Sequence, residues 1–199
     1  MSQWNLIVEL KSYWHAGGGR GGGMVADAVV HRDATGLPVL PGKHLKGLLR
    51  DALERAERFG WDGFDGVASR LFGKRTEESI ADEAPGSGCL RVADACLPTE
   101  IALWLGGCGE GKALLPGLFR TLHTTAVDQS TGSAKGKSLR GIEVTVPLRL
   151  SAGIEPIRGR QPPPDWLDRI ETVLPLIDAV GAQRSRGLGR AVLTLERVT

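Results

Sequence analysis

Apolar and polar residues alternate over several short stretches of the chain, and a period of two predicts β-strands. The pattern is clearest over residues 4–11 and 141–150, where every second side chain is apolar. Pro147 lies within the second stretch and indicates an edge strand or a bulge at that point. Three further strands are predicted over residues 89–97, 119–127 and 190–198.

Apolar residues at helical spacing predict two helices between these strands. The first covers residues 43–59 and follows Gly42, which allows a sharp change of chain direction. The second covers residues 165–180, where Pro175 is expected to introduce a kink. Two helices shared among several short strands predict an α+β fold with an antiparallel sheet, and a ferredoxin-like (RRM-like) core with large insertions fits this order best.

The composition limits the kind of nucleic-acid binding that such a fold would support. The 199 residues are 41% hydrophobic and 24% charged, as expected for one globular domain over residues 1–199. The formal net charge is only +2, and aromatic residues make up 5%. A generally basic surface and stacking on aromatic platforms are therefore not expected, so any RNA groove must be a local feature.

The cysteines indicate neither a zinc site nor a set of disulfides. Cys89, Cys96 and Cys108 are odd in number and widely spaced, and the sequence contains no CxxC motif. This usage is typical of a reduced, cytoplasmic protein. The first residues do not resemble a signal peptide, and no apolar run has the length of a membrane span, so no membrane partner is expected.

Two cationic segments have the composition of phosphate-binding sites. The first helix is expected to begin with free backbone N–H groups beside Lys43, His44 and Lys46, and a helix N-terminus attracts anions. The segment 181–190, GAQRSRGLGR, contains three arginines and would be an ordinary turn if these only met solvent. However, a guanidinium group binds two phosphate oxygens at once, so we expect both segments to converge on one ribose-phosphate strand.

The glycine-rich segments do not form nucleotide-binding motifs. Residues 15–24 satisfy GxGxxG almost automatically, but no long helix follows them, which argues against a dinucleotide site. This segment is either a disordered linker or a loop that lets the backbone approach a ligand closely. The pair Gly42-Lys43 lacks the spacing of a P-loop, and His44 stands where a hydroxyl residue would hold Mg²⁺, so an NTPase is rejected.

Five segments, taken in order along nearly the whole chain, resemble the RAMP superfamily of CRISPR proteins. They read LPVLPGKHLKGLLRDALE, LFG, GCLRVADACL, TAVDQSTGSAKGKSL and GAQRSRGLGRA. Within the superfamily the chain is most similar to the backbone subunit of type III (Csm/Cmr) effector complexes. One departure is that Lys43 and His44 stand where the family usually has small hydroxyl residues.

The resemblance implies an RRM-like palm with an inserted thumb β-hairpin and glycine-rich loops. The thumb would cover residues 121–143, with its tip at residues 128–136. Such subunits stack head to tail along a guide (CRISPR) RNA, and each thumb kinks the guide–target duplex at regular intervals. The implied partners are guide RNA, target RNA, further copies of the chain or related backbone subunits, and the other type III effector subunits. The implied RNA-binding residues are Lys43, His44, Lys46, Arg50, His123, Lys135, Arg184 and Arg186.

In cleaving members of the family, an Asp before a V-x-R-D segment cuts target RNA with the help of a divalent metal, Mg²⁺ or Mn²⁺. The sequence DAVVHRD has Asp27 at that position, so the resemblance implies that Asp27 is both catalytic residue and metal ligand. The expected reaction is attack of a ribose 2′-hydroxyl on the adjacent phosphate, which yields a cyclic phosphate and a 5′-hydroxyl. A carboxylate can hold the metal or accept the proton, which makes the chain a candidate endonuclease and hydrolase.

Two other functions stay open at the level of sequence. The same scaffold without nuclease activity would only hold the guide, and Asp27 would then be a solvated loop carboxylate. A guide-processing endoribonuclease of the same superfamily also has a glycine-rich loop near its carboxyl end and often uses a histidine. His15 would be the acid–base group in that case, and no metal would be needed.

Overall fold

Six strands and five α-helices form the part of the chain that the structure describes. This computed structural model describes residues 3–19, 27–74, 87–107 and 109–198. The strands are β1 (Trp4–Leu10), β2 (Leu90–Val92), β3 (Phe119–Thr124), β4 (Arg140–Thr145), β5 (Arg149–Pro156) and β6 (Ala191–Arg197). The helices are α1 (Gly42–Arg58), α2 (Val67–Phe72), α3 (Thr99–Gly107), α4 (Gly109–Leu114) and α5 (Trp166–Val173).

The four-stranded sheet has the topology of a ferredoxin-like fold. Its order is β2–β5–β1–β6, and every neighbouring pair is antiparallel. β1 lies between β5 and β6, so that Val8 is opposite both Leu150 and Leu193. The connections from β1 to β2 and from β5 to β6 contain α1 and α5, as this topology requires. The predicted α+β, ferredoxin-like palm is therefore confirmed.

The helices α1 and α5 pack with the apolar residues of this sheet in one core. α1 contributes a continuous stripe of buried residues, because its apolar side chains recur at spacings of three and four. α5 adds Ile170 and Val173, which are fully buried. The sheet contributes Leu6, Val8 and Leu10 from alternate positions of β1. The buried stripe of α1 consists of Leu45, Leu48, Leu49, Ala52, Leu53 and Ala56.

A separate two-stranded sheet is the thumb β-hairpin that the resemblance implies. β3 and β4 pair in antiparallel register over their full length. The hairpin, with the loop between its strands, therefore covers residues 119–145 and is longer by two residues at each end than the predicted 121–143. Trp14 joins the base of the hairpin to the palm, because it forms a bridge with Thr145 and donates its indole N–H to the carbonyl of Val146 at 3.0 Å. The opposite end of the hairpin is exposed.

The single strand predicted over residues 141–150 is wrong, since the structure has two strands in two different sheets there. β4 ends at Thr145 and β5 begins at Arg149. Pro147 has no N–H to donate to a neighbouring strand, so the chain leaves one sheet near this residue and joins the other. The alternation of apolar residues continues through the break because β4 buries Ile142 and Val144, and β5 buries Leu150, Ala152 and Ile154.

The second predicted helix is too long, and α3 is not predicted at all. α5 ends at Val173, and the 3₁₀ turn Leu174–Leu176 follows it, since Pro175 cannot donate a helical hydrogen bond. The apolar residues of α3 follow one another without helical spacing, so the sequence does not indicate which face of the helix is buried. Leu103, for example, is apolar but 69% exposed. None of the helices within the described ranges is long and apolar enough to cross a membrane.

Candidate nucleic-acid interface

A cleft of about 280 Å³ lies where the start of α1 meets the turn before β6. Lys43 and His44 line it from α1, and Gly181 and Ala182 line it from the turn. Its third wall is the segment after β1, at residues 15–17. The two cationic segments singled out in the sequence therefore share one groove.

His44 connects the two sides of this cleft. The backbone N–H of Gly181 donates to Nε2 of the imidazole ring at 2.8 Å, so this nitrogen carries no proton and the ring is neutral. Burial of the ring, and then the nearby charge of Arg184, lower the pKa of His44. The side chain is thus an uncharged bridge, and not the cation that its position in the sequence predicts.

This bridge predicts a pH dependence of folding. Because the pKa of His44 is lower in the folded chain than the usual 6.5, its contribution to stability is complete above that value and is lost as the pH falls through the folded pKa. We expect His44→Gln to remove this part of the dependence, since the amide oxygen of Gln can still accept from Gly181. Urea unfolding of both proteins at about pH 5 and about pH 7.5 measures the effect, and an unchanged dependence in the variant would contradict it.

Glycine is required at two positions of the turn before β6. Gly181 has a φ of +82°, and a Cβ atom there would lie 2.4 Å from the carbonyl oxygen of His15. Gly189 has a φ of +72°, and a Cβ atom there would lie 1.8 Å from the carbonyl oxygen of Val180. The same His15 carbonyl accepts the N–H of Ala182 at 2.8 Å. The backbone of the turn therefore packs directly on the segment after β1, and this packing fixes the shape of the cleft.

Two alanine variants of this turn are expected to differ strongly in stability. Gly189→Ala combines a left-handed backbone with a clash against Val180, and we expect it to lower the free energy of unfolding by about 3 kcal/mol. Gly187 has a φ of +85° but open space around it, so Gly187→Ala carries only the backbone strain, about 1 kcal/mol. Urea unfolding followed by circular dichroism compares them. Equal decreases would show that the close approach to Val180 does not matter.

The N-terminus of α1 offers fewer free amides than the sequence predicts. The N–H of Gly42 donates to the carboxylate of Asp94 at 2.7 Å, and the two N–H groups after Lys43 donate to the carbonyl of Pro41 at 2.9 and 3.2 Å. Among the first four, only the N–H of Lys43 has no partner in the described part of the chain. Asp94 also adds negative charge at the helix start. Phosphate binding here therefore depends on cationic side chains more than on the helix itself.

Three predicted RNA-binding cations lie at or beside the cleft. Lys43 lines it and its side chain is exposed. Arg184 and Arg186 are the ends of an exposed 3₁₀ turn that begins two residues after Ala182. The αL conformation of Gln183, with a φ of 55°, turns the chain from the cleft into this 3₁₀ segment. The cleft therefore has a lysine on one side and two arginines beyond its other side.

Four other predicted RNA-binding residues are not part of the cleft lining. Lys46 is half-buried further along α1, and the Nε of Arg50 donates to the carboxylate of Glu54 at 2.6 Å. His123 is exposed on β3, and Lys135 is exposed near the hairpin tip. The hairpin therefore presents a second polar surface, and RNA binding by these four residues stays a prediction.

Asp27 lies beside the part of β4 nearer the hairpin tip, four residues from Thr145 at the base, and does not line the cleft. Its Oδ2 accepts the backbone N–H of Gly141 at 2.8 Å, and its own N–H donates to the carbonyl of Gly141 at 2.8 Å. These two bonds hold an exposed residue against β4. Within residues 3–19, 27–74, 87–107 and 109–198, no group of three His, Cys, Asp or Glu side chains could hold a metal ion. Residues 20–24 of the glycine-rich segment, and the two residues that follow, lie outside the described residues.

A network that the sequence does not predict joins the cleft to the hairpin. His15 is 4% exposed, and its Nδ1 donates to the carbonyl of Glu143 on β4 at 2.6 Å. The carboxylate of Glu143 accepts the N–H of Val30 at 3.0 Å and pairs with Arg32 at 2.6 Å. The guanidinium of Arg32 lies 3.6 Å from the centre of the Phe119 ring. No local sequence signal indicates this network, because His15 and Glu143 are 128 residues apart.

Two solved structures have chains with this fold. The "Cryo-EM structure of the Type III-B Cmr-beta bound to cognate target RNA" contains a chain with 11% sequence identity and a TM-score of 0.69, over 98% of this chain and 97% of that chain. The "Type III-B Cmr-beta Cryo-EM structure of the Apo state" contains one with 11% identity and a TM-score of 0.68, over 97% and 96% of the two chains. A sequence search of curated proteins gives no match.

The family follows from the sequence rather than from these distant structures. A model of the RAMP superfamily matches residues 7–192, which extend from β1 into β6. The match includes the whole palm between those strands, the hairpin and the cleft. The chain therefore belongs to the RAMP superfamily.

Proposed function

We propose that this chain is a guide-RNA-binding backbone subunit of a type III CRISPR effector complex. The observation that carries the proposal is the single cleft between Lys43 and the turn that leads to Arg184. A phosphodiester strand needs cations along one path, and with a net charge of only +2 their grouping at one groove is informative. The shared fold of a Cmr-beta complex bound to cognate target RNA supports the same function.

The groove would bind the sugar-phosphate backbone of the guide. Arg184 and Arg186 can each bind two phosphate oxygens, and Lys43 contributes a point charge from the opposite side. The bond between His44 and the N–H of Gly181 holds the two sides together before RNA binds, which reduces the entropic cost of binding. The bases of the guide stay free, so the target is selected by base pairing and not by side chains.

The hairpin would contact the guide–target duplex away from the cleft. It is fixed to the palm at Trp14 and exposes its tip at residues 128–136. His123 and Lys135 are its candidate RNA-binding residues where the duplex is kinked. Further copies of the chain, or related subunits, would stack head to tail along the guide beside the other effector subunits, and such a heterologous interface builds an open filament.

Asp27 is the proposed catalytic residue for cutting bound target RNA. Its Oδ2 is held by the N–H of Gly141, and Oδ1 can accept the proton of a ribose 2′-hydroxyl. The 2′-oxygen then attacks the adjacent phosphate, the bond to the 5′-oxygen breaks as this oxygen takes a proton from water, and the products are a cyclic phosphate and a 5′-hydroxyl. A kink in the duplex would bring the attacking oxygen in line with the leaving oxygen.

The site accommodates a divalent metal only with the help of the substrate. Asp27 supplies one exposed carboxylate, and the described residues contain no group of three potential ligands. Mg²⁺ is commonly held by one or two carboxylates together with substrate phosphates and water, so a single Asp is compatible with Mg²⁺ or Mn²⁺. When bound, the metal would stabilise negative charge on the phosphate.

Copurified nucleic acid tests the proposed function. The full chain is expressed together with a CRISPR repeat–spacer transcript, purified at low salt, and its absorbance at 260 and 280 nm is compared before and after ribonuclease treatment. We expect bound RNA, and sequencing of that RNA is expected to return the guide. A preparation that carries no RNA and does not bind added guide RNA would contradict the proposal.

The same subunit without nuclease activity is the second candidate function. One carboxylate oxygen of Asp27 already accepts the N–H of Gly141, so a purely structural role would be to hold the part of β4 nearer the hairpin tip. The chain would then bind guide and target without cutting. Cutting of target RNA by the wild-type complex excludes this candidate.

A further inference from the structure

The ring of His15 has a defined proton position that the proposed mechanism does not use. Nδ1 lies 2.6 Å from the carbonyl oxygen of Glu143, and a carbonyl oxygen can only accept a hydrogen bond. Nδ1 therefore carries the proton. In the neutral ring the other nitrogen, Nε2, is then an acceptor with a free lone pair.

This acceptor lies beside the cleft. His15 is 4% exposed and still lines the cleft together with Lys43 and His44. A Cβ atom at Gly17 would lie 2.9 Å from Nε2, so the glycine at this position leaves that edge of the ring uncovered. The ring is fixed on its other edge by Glu143, and it therefore presents Nε2 in a constant place.

An acceptor in a groove for a phosphodiester strand restricts what can bind there. Phosphate and ester oxygens are acceptors as well and cannot bond to Nε2 of the neutral ring. The ribose 2′-hydroxyl is a donor, and DNA lacks it. We infer that His15 accepts a hydrogen bond from a 2′-hydroxyl of the bound strand and thereby makes the cleft selective for RNA over DNA. The inference rests on the proposed function, because it assigns a specificity to the same groove.

The test measures binding of one single-stranded sequence of about 20 nucleotides in three forms, RNA, 2′-fluoro RNA and DNA with deoxyuridine, by fluorescence anisotropy. The 2′-fluoro strand keeps the sugar geometry of RNA but has no donor. We expect the wild-type chain to bind RNA about fivefold to tenfold more tightly than the 2′-fluoro strand, as the absence of one hydrogen bond predicts.

Two variants should remove this preference in different ways. In His15→Asn the side-chain amide can still donate to Glu143, but the acceptor at the position of Nε2 is absent. In Gly17→Ala the added methyl group would lie 2.9 Å from Nε2, closer than van der Waals contact, so the imidazole ring must move and its acceptor is blocked. Both are expected to bring the ratio of RNA to 2′-fluoro affinity close to one, with little change for the 2′-fluoro strand. Thermal unfolding shows whether each variant is folded. If His15→Asn is unfolded, Gly17→Ala still tests the inference.

His31→Asn is the matched control, because His31 lines a neighbouring cavity and not the cleft. Its ratio of RNA affinity to 2′-fluoro RNA affinity should equal that of the wild type. A variant ratio that stays at the wild-type value overturns the inference. An equal decrease in affinity for all three strands also overturns it, because that result would mean that His15 binds a phosphate or a base. If the wild type binds all three strands alike, the inference fails alone; if it binds none, the proposed function fails with it.

Discussion

In the assembled complex, Asp27→Asn is expected to bind target RNA as the wild type does and to cut it at least about a hundredfold more slowly. The amide oxygen of Asn can still accept the N–H of Gly141, which Asp27 accepts at 2.8 Å, so the contact with β4 should stay intact. The variant lacks the negative charge that accepts a proton or holds a metal. General base catalysis by one side chain contributes about 10² to 10⁴ in rate, which sets the expected decrease.

The measurement follows a labelled target RNA on denaturing gels, with binding measured separately by filter retention. Asp33→Asn is the matched control, since Asp33 is a turn residue whose carboxylate accepts the N–H groups of Thr35 and Leu37 at 2.8 and 3.0 Å. This control should cut at the wild-type rate. Wild-type speed in the Asp27 variant would exclude Asp27 as the catalytic group, and fragments ending in a 3′-hydroxyl would exclude attack by the 2′-oxygen.

The double variant Lys43→Glu/Arg184→Glu is expected to bind guide RNA about a hundredfold more weakly than the wild type. Lys43 lines the groove and Arg184 lies in the turn that follows its opposite wall, and each charged hydrogen bond to phosphate contributes about 1.5 to 3 kcal/mol. Because about 1.4 kcal/mol corresponds to a factor of ten, removal of two such bonds gives this magnitude at the lower end of the range. Repulsion between glutamate and phosphate adds to it.

Titrations at several salt concentrations distinguish weaker phosphate binding from misfolding. On a single strand, the slope of log K against log salt should become shallower by about 0.7 for each phosphate that a cation no longer neutralises. Lys74→Glu/Lys112→Glu is the matched control, since both lysines are exposed, neither lines the cleft, and the double variant changes the net charge equally. Equal weakening in both double variants would show that RNA responds to total charge and not to the cleft.

The sequence predicts the elements of this fold better than their ends. α1 is found within one residue of its expected range, because its apolar spacing is local information and Gly42 begins the helix. The break between β4 and β5 is not predicted, since apolar alternation continues through Pro147. Which sheet a strand joins depends on its partners, and these are distant in sequence.

The candidate site, too, is predicted only where the information is local in the sequence. That Lys43 and the 181–190 turn share a groove is expected from their composition, because both have the chemistry of phosphate binding. The bonds that shape the groove are not expected. The ring of His44 and the N–H of Gly181 are 137 residues apart, and only the fold brings them to 2.8 Å. Likewise, no sequence rule connects Asp94 to the first amide of α1.

Beyond its bridge to Trp14, β4 is held by Asp27 at Gly141 and by His15 at Glu143. Along a strand these two points are about 7 Å apart, so β4 fixes the distance between Asp27 and the His15 side of the cleft. An inserted or deleted residue inside this interval would shift one anchor against the other and turn the following side chains to the opposite face. An insertion or deletion beyond Thr124 and before Arg140 would change the length of the hairpin without disturbing either anchor.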